Sequence, residues 1–218
     1  MALSGDADAA ASAGARPGLR GLDLKPGYDS GDRVLESFYV PVLSRANRYD
    51  RSVGYFRSSA LSVASKGMSR FINGGGTVRL LCGAEVTEQD RDALQGAATM
   101  DGDFAQRLAL GLVTDSEVDA RRLEVLAWLA REGRLEVRIA IAVDADGVPI
   151  VGGAHDPYFH EKIGVLRDHT EDGIAFQGSV NESATAWTHN FESFSVYTSW
   201  EAAAVHYSFW ANKFEQHW

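Results

Sequence analysis

The sequence predicts an α/β protein, a mixed β-sheet flanked by helices on both faces, and two observations carry that prediction. Apolar strand-like runs alternate with amphipathic helical stretches early in the chain, as βαβ units do. Later, two strand-like runs close around the acidic turn "DHTEDG", which is the pattern of an antiparallel hairpin. A length of 218 residues with 45% hydrophobic and 10% aromatic content suits one domain with a sizeable core.

Each element follows from local pattern. Residues 1–28 are rich in Ala, Gly and Ser with little apolar periodicity, which predicts a flexible arm ahead of a domain spanning 29–218. "SGDRVLESFYVPVLSRAN", from Ser30, places apolar residues at helical intervals, and Pro41 should kink or break that helix. "YDRSVGYF" reads as a short strand. "RSSALSVASKGMSRFINGGG" reads as a helix stopped by three glycines, and "TVRLLCGAEV" as a buried strand that takes Cys82 inside. Thr87 with Asp90 three later starts the next helix, and "SEVDARRLEVLAWLAREG" (116–133) is a further amphipathic helix with a glycine stop. "RLEVRIAIAV" is a strand. Strands are then expected at 160–167 and 173–177, a helix start near Asn181, a strand in "NFESFSVYTSW" and a closing helix in "EAAAVHYSFWANKFEQHW".

Composition narrows the function. A formal charge of −9 argues against broad electrostatic adhesion to nucleic acid, so any polyanion site must be local. No apolar run approaches the roughly 18 residues of a membrane span and the start lacks a signal-peptide pattern, which predicts a soluble, cytoplasmic protein. A lone cysteine cannot form an internal disulfide.

The chemistry concentrates in "FHEKIGVLRDHTEDGIAFQGSVNES", Phe159 to Ser183. With 160–167 as a strand, His160 and Lys162 share a face while Glu161 points the other way. A neutral imidazole can attack phosphorus, and an adjacent ammonium offsets the charge that grows on the non-bridging oxygens. Gly178 and Ser179 would let backbone and hydroxyl donors approach the same phosphate, and the Asn181 amide could hold an oxygen or orient a histidine. With six His and only four Lys in the chain, an H-x-K arises by chance about 0.1 times and a G-S-x-N about 0.04 times.

These residues resemble the phospholipase D superfamily, whose motif is H-x-K followed by an Asp and then G-S-x-N; the match covers His160, Lys162, Gly178, Ser179 and Asn181. "NFE", Asn190 to Glu192, is similar to the family's N-x-E element, in which the acid orients a catalytic histidine. The order of "RSVGYF", "NGGGTVRLLCGAEVTEQD", "FHEKIGVL", "GSVNES", "NFESFSVYTSW" and "KFEQHW" is similar to the phospholipase D-like domain at the N-terminus of some bacterial helicase-type proteins, including ones tied to DNA restriction and phage defence. The resemblance implies an α/β/α sandwich and a metal-independent, cofactor-free phosphodiesterase acting on nucleic acid, DNA before RNA. In that reading His160, Lys162, Asn181 and Glu192 are catalytic, and Lys162, Gly178, Ser179 and Asn181 bind phosphate. Two departures stand out. The family's Asp position, five residues after the Lys, holds Arg167 here, with Asp168 one further on. Only one H-x-K is present, and the resemblance to single-motif members implies a homodimer that brings two copies of His160 together. Two facing imidazoles predict a bell-shaped pH dependence belonging to the pair.

Rival readings of the same residues are open. A metal site could draw on His155, Asp156, His160, Asp168, His169 and Asp172, but their spacing matches no tight ligand pattern and Lys162 would repel a cation. His155 and His169 read as exposed turn residues, and Trp187, Trp200 and Trp210 as core. The main alternative is a catalytically weak or inactive nucleic-acid-binding module associated with a helicase-like partner. Lipid hydrolysis is disfavoured for want of an apolar or basic membrane-binding surface.

Overall fold

The computed structural model describes residues 17–95, 100–150 and 157–218. Among these, β1 (Gly27–Asp29), β2 (Arg48–Tyr55), β3 (Thr77–Glu85), β4 (Leu135–Ile139), β5 (Ile163–Arg167), β6 (Gly173–Gly178) and β7 (Ser193–Thr198) form one sheet in the order β1-β7-β6-β5-β2-β3-β4. β2, β3 and β4 run parallel, and the pairs β2–β5, β5–β6, β6–β7 and β1–β7 are antiparallel. The mixed sheet expected from the sequence is therefore a parallel half built from crossovers and an antiparallel half built from a hairpin.

Strand alternation decides what covers each face. Leu80, Cys82, Leu166, Ile174, Phe176 and Phe194 join the larger core. Over it lie α1 (Val40–Leu43), α2 (Ser59–Val63), α3 (Ser65–Asn73), α4 (Glu88–Leu94), α5 (Gly102–Ala109), α6 (Asp115–Ala120) and α7 (Arg122–Arg131). Leu81, Ile163, Val165 and Ala175 point to the opposite face and meet Ala211 and Phe214 of α9 (Ala204–His217). Fully burying a side chain such as Phe214 contributes about 1.5–3 kcal/mol, so α9 is a structural layer and not an appendage. Asp50 binds Arg79 and Arg167 there at 2.7 Å each, and Arg79 and Arg138 lie over the Trp218 ring.

Several sequence expectations need correction. The chain from residue 17 onward is not a free arm. Leu19 is fully buried, its N–H donates to Asp168 at 2.7 Å, and Gly27–Asp29 pairs with β7. The short apolar pattern of Leu19, Leu22 and Leu24 finds its partners only in the folded domain; residues 1–16 lie outside the described residues. Of the expected kink or break at Pro41 the break does not occur: a π-helical turn, Leu35–Tyr39, leads directly into α1, with Pro41 in its first turn. The two long helices each divide, at Ala64 and at Arg121, where ψ turns positive. Thr114 caps the second pair, just ahead of the expected start at 116, through a capping box with Glu117. The helix expected near Asn181 is α8 (Ala184–Thr188), capped by Ser183.

The correction that matters for function lies at β5. Strand pairing with β2 ends at Ser52–Ile163, so His160 and Lys162 precede the strand in extended but unladdered chain. The next donors of β2, the N–H groups of Gly54 and Tyr55, are taken by the Asn181 side-chain oxygen at 3.1 and 3.3 Å. A side chain from the β6–α8 connection thus replaces the neighbouring strand, and the chain there leaves Pro157, Tyr158 and His160 exposed while Lys162 stays buried.

Candidate active site

The site occupies the sheet edge where β2 and β6 end and β5 and β7 begin. His160 is exposed there and rests on Gly54: a β-carbon on Gly54 would lie 2.7 Å from His160 Cδ2 and 3.3 Å from Asn181 Oδ1. Only a residue without a side chain lets imidazole and carboxamide close on the same strand end. Burial pushes the His160 pKa below its usual value, the charge of Lys162 pushes the same way, and Glu85 opposes. A neutral imidazole at neutral pH follows.

Lys162 is buried, and its ammonium donates to the His160 carbonyl at 2.9 Å. Burial pushes its pKa down to about 8, Arg51 adds to the effect and Glu192 resists it. Glu161 points away, as alternation requires, bonding Ser52 Oγ at 3.0 Å and His217 Nδ1 at 2.9 Å under α9. Asn181 is buried, and with its oxygen committed to β2 its NH₂ is the end able to donate.

The remaining sequence candidates sit at the same edge with other partners. Gly178 pairs so closely with β7 that a β-carbon would lie 2.0 Å from the Ser193 carbonyl oxygen. Ser179 Oγ accepts from Ser193 N–H at 3.1 Å and donates to the Ser193 carbonyl at 3.4 Å. Glu192 accepts from Asn190 Nδ2 at 3.1 Å and acts on Lys162 through its charge. Asp168 lies away from His160, fully buried in the β5–β6 turn, where it accepts from Leu19 N, Thr170 N, Thr170 Oγ1 and Asp172 N. Burial opposes its ionisation, yet these four donors hold its pKa below the ordinary carboxylate value. His169 is exposed in that turn, Trp187 is buried, and His155 and Asp156 lie outside the described residues. Among the described residues no three metal-binding side chains converge.

Sequence reasoning missed the layer beneath. Arg51 is 1% exposed and bonds Glu182 at 2.7 Å and the Val180 carbonyl at 2.5 Å, while Tyr49 donates to Glu182 at 3.1 Å. The guanidinium lies 4.9 Å from the centre of the Phe176 ring, and that ring fills the space Gly164 leaves open. Burial pushes the Glu182 carboxyl up against the pull of Arg51 and Tyr49. This buried pair pins both ends of the Val180–Glu182 turn that presents Asn181. Its one sequence signal is a charged residue in the middle of a strand otherwise bound for the core, "YDRSVGYF".

A cleft of about 460 Å³ opens beside His160, bordered by Gly54, Gly83, Ile141, Tyr158 and Phe159. A smaller one of about 160 Å³ lies by Glu192, Trp187 and Phe191. A neutral imidazole, a buried ammonium and an amide donor on one rim can together bind and attack a phosphodiester.

No protein-family model matches the chain, and no curated protein does. The similarity found is among solved structures and includes a phospholipase D family member. That member, Nuc from Salmonella typhimurium, is 13% identical, with 84% of this chain and 86% of that one covered and a TM-score of 0.39. NucT from Helicobacter pylori is 13% identical over 88% of this chain and 94% of that one, with a TM-score of 0.49. A mutant of yeast tyrosyl-DNA phosphodiesterase 1 is 6% identical over 71% of this chain and 26% of that one, with a TM-score of 0.38.

Proposed function

We propose that this chain is a metal-independent phosphodiesterase, a nuclease that cuts DNA or RNA through a phosphohistidine intermediate. The observation that carries the reading is the convergence of His160, Lys162 and the Asn181 amide on one strand end, with Gly54 left bare beneath them. In the proposed reaction a neutral His160 nitrogen attacks phosphorus, an N–P bond forms and the P–O bond to the leaving nucleotide breaks. Lys162 and the Asn181 NH₂ neutralise and hold the non-bridging oxygens. The leaving oxygen takes a proton from His160 of the partner subunit, and water then cleaves the N–P bond with that imidazole as base. One H-x-K per chain is what supports the homodimer. Glu192 is assigned to orienting the histidines, with Gly178 and Ser179 shaping the phosphate rim. The motif order extends the proposal to a role in DNA restriction or phage defence beside a helicase-like partner. No helix among the described residues is long and apolar enough to cross a membrane.

The test is incubation of the purified chain and its His160→Ala variant with labelled single- and double-stranded DNA and RNA in excess chelator. Cleavage by the parent alone is the expected result. Absence of cleavage from a folded, dimeric parent would replace the reading with a recognition module.

A further inference from the structure

We propose that Tyr158 and Phe191 are stacking platforms for unpaired nucleobases, one on each flank of the phosphate site, so that the substrate is single-stranded nucleic acid. This rests on the phosphodiesterase reading and adds to it what holds the substrate.

The need for such platforms comes from charge. The chain carries a net −9, and ionic affinity for a phosphate backbone scales with the number of cations that meet it. Of the arginines closest in sequence to Gly54, Arg51 is buried against Glu182 and Val180. Arg57 donates to the carbonyls of Phe56 and Glu85 and lies over the Tyr55 ring. Neither is disposed to follow a phosphate chain, and Lys162 serves the scissile phosphate itself. Contacts that are not ionic would supply what these two arginines do not.

Two aromatic side chains stand where such contacts are needed. Phe191 is 96% exposed and immediately precedes Glu192; Tyr158 is 73% exposed and lies two residues before His160. The Tyr158 ring already meets the imidazole edge-on, with centroids 5.2 Å apart and planes at 64°, which aims a flat face alongside the reacting group. Its cleft has a floor almost free of side chains, because Gly83 approaches the Gly54 carbonyl so closely that a β-carbon would lie 2.4 Å from that oxygen. Ala140 and Ala142 continue the floor and Ile141 walls it. A shallow apolar bed with an aromatic at its mouth takes a planar ring and repels a phosphate. Base faces are free only where bases are unpaired, and every base has one, so the contact selects single strands without selecting sequence.

The experiment measures equilibrium binding, in a His160→Gln background that prevents turnover, of three fluorescent probes of equal length: a single-stranded oligonucleotide, its duplex and a strand of abasic sites. The full chain is compared with Tyr158→Ala, Phe191→Ala and Tyr158→Trp, with thermal melts and sedimentation run alongside. Each alanine variant is expected to weaken single-strand binding by about 5- to 100-fold, the range base stacking covers. Tyr158→Trp should retain it, and abasic and duplex binding should stay as they are. Unchanged single-strand binding, or equal losses on all three probes, would overturn the proposal. So would dissociation to monomers in either alanine variant, which would give these rings to a second copy of the chain. Cleavage of the same probes with His160 intact separates the two readings: abasic strands cut as fast as natural ones would remove the stacking platforms and leave the phosphodiesterase standing. Aromatic-dependent binding without any cleavage would do the reverse.

Discussion

Gly54→Ala tests whether the imidazole is held in place by the missing side chain beneath it. The added carbon would stand 2.7 Å from His160 Cδ2, so the ring must retreat by about 0.7 Å to reach ordinary contact at 3.4 Å, and Asn181 Oδ1 at 3.3 Å must also ease. The imidazole is the exposed end of a flexible side chain, so it moves while the sheet stays. Gly54 lies outside the left-handed region, which leaves alanine free to adopt its backbone and to gain about 0.4–1 kcal/mol through the unfolded state. Stability should therefore change by less than about 1 kcal/mol. Misplacement of a reacting group by close to 1 Å costs on the order of 10²-fold, or about 2.7 kcal/mol of barrier. Single-turnover cleavage and urea unfolding measured on the same preparation should show the rate falling and the unfolding midpoint holding. A rate equal to the parent's would refute the idea that Gly54 sets the imidazole. A rate loss matched by a collapse of the midpoint would refute it too, by placing the effect in the fold.

Activity should rise as pH climbs through the lowered His160 pKa, where the nucleophile loses its proton, and fall above about 8 as Lys162 loses its own. Lys162→Arg keeps the charge at all these pH values and should abolish the alkaline limb while lowering the maximal rate; a limb that stays belongs to another acid, such as the imidazole pair. Arg51→Met leaves the Glu182 carboxylate buried without its partner and should cost about 3–5 kcal/mol by chemical denaturation, much of it recovered in the Arg51→Met/Glu182→Leu double variant. A single variant within about 1 kcal/mol of the parent would show the pair to be solvated or dispensable.

Much of this site was legible because the signals are short-range. Alternation in an extended chain placed His160 and Lys162 together and Glu161 opposite, and that holds although the segment lies outside the strand, since two-residue periodicity needs only extended backbone. Thr87 capping its helix and the glycines after Asn73 ending theirs are likewise decided within a few residues. The acidic turn between two apolar runs specified the β5–β6 hairpin, and the alternation of strands with helices specified the parallel half.

Tertiary structure decided what depends on groups far apart in sequence. Asn181 ends the β2–β5 pairing by bonding a strand 127 residues earlier, and Arg51 meets Glu182 across 131 residues. Asp168, one position from where the motif's acid was expected, is taken by the N–H of Leu19, 149 residues away, which is how a segment read as a loose arm came to be anchored. No local pattern encodes such pairs, because a buried hydrogen bond or ion pair forms wherever the fold brings a donor to an acceptor that has lost its water. Composition and spacing by themselves determined the class of sheet and singled out the residues proposed to react. Which of them stand exposed, which are buried and neutralised, and which serve only to hold the chain was settled by the packing around the bare strand end at Gly54.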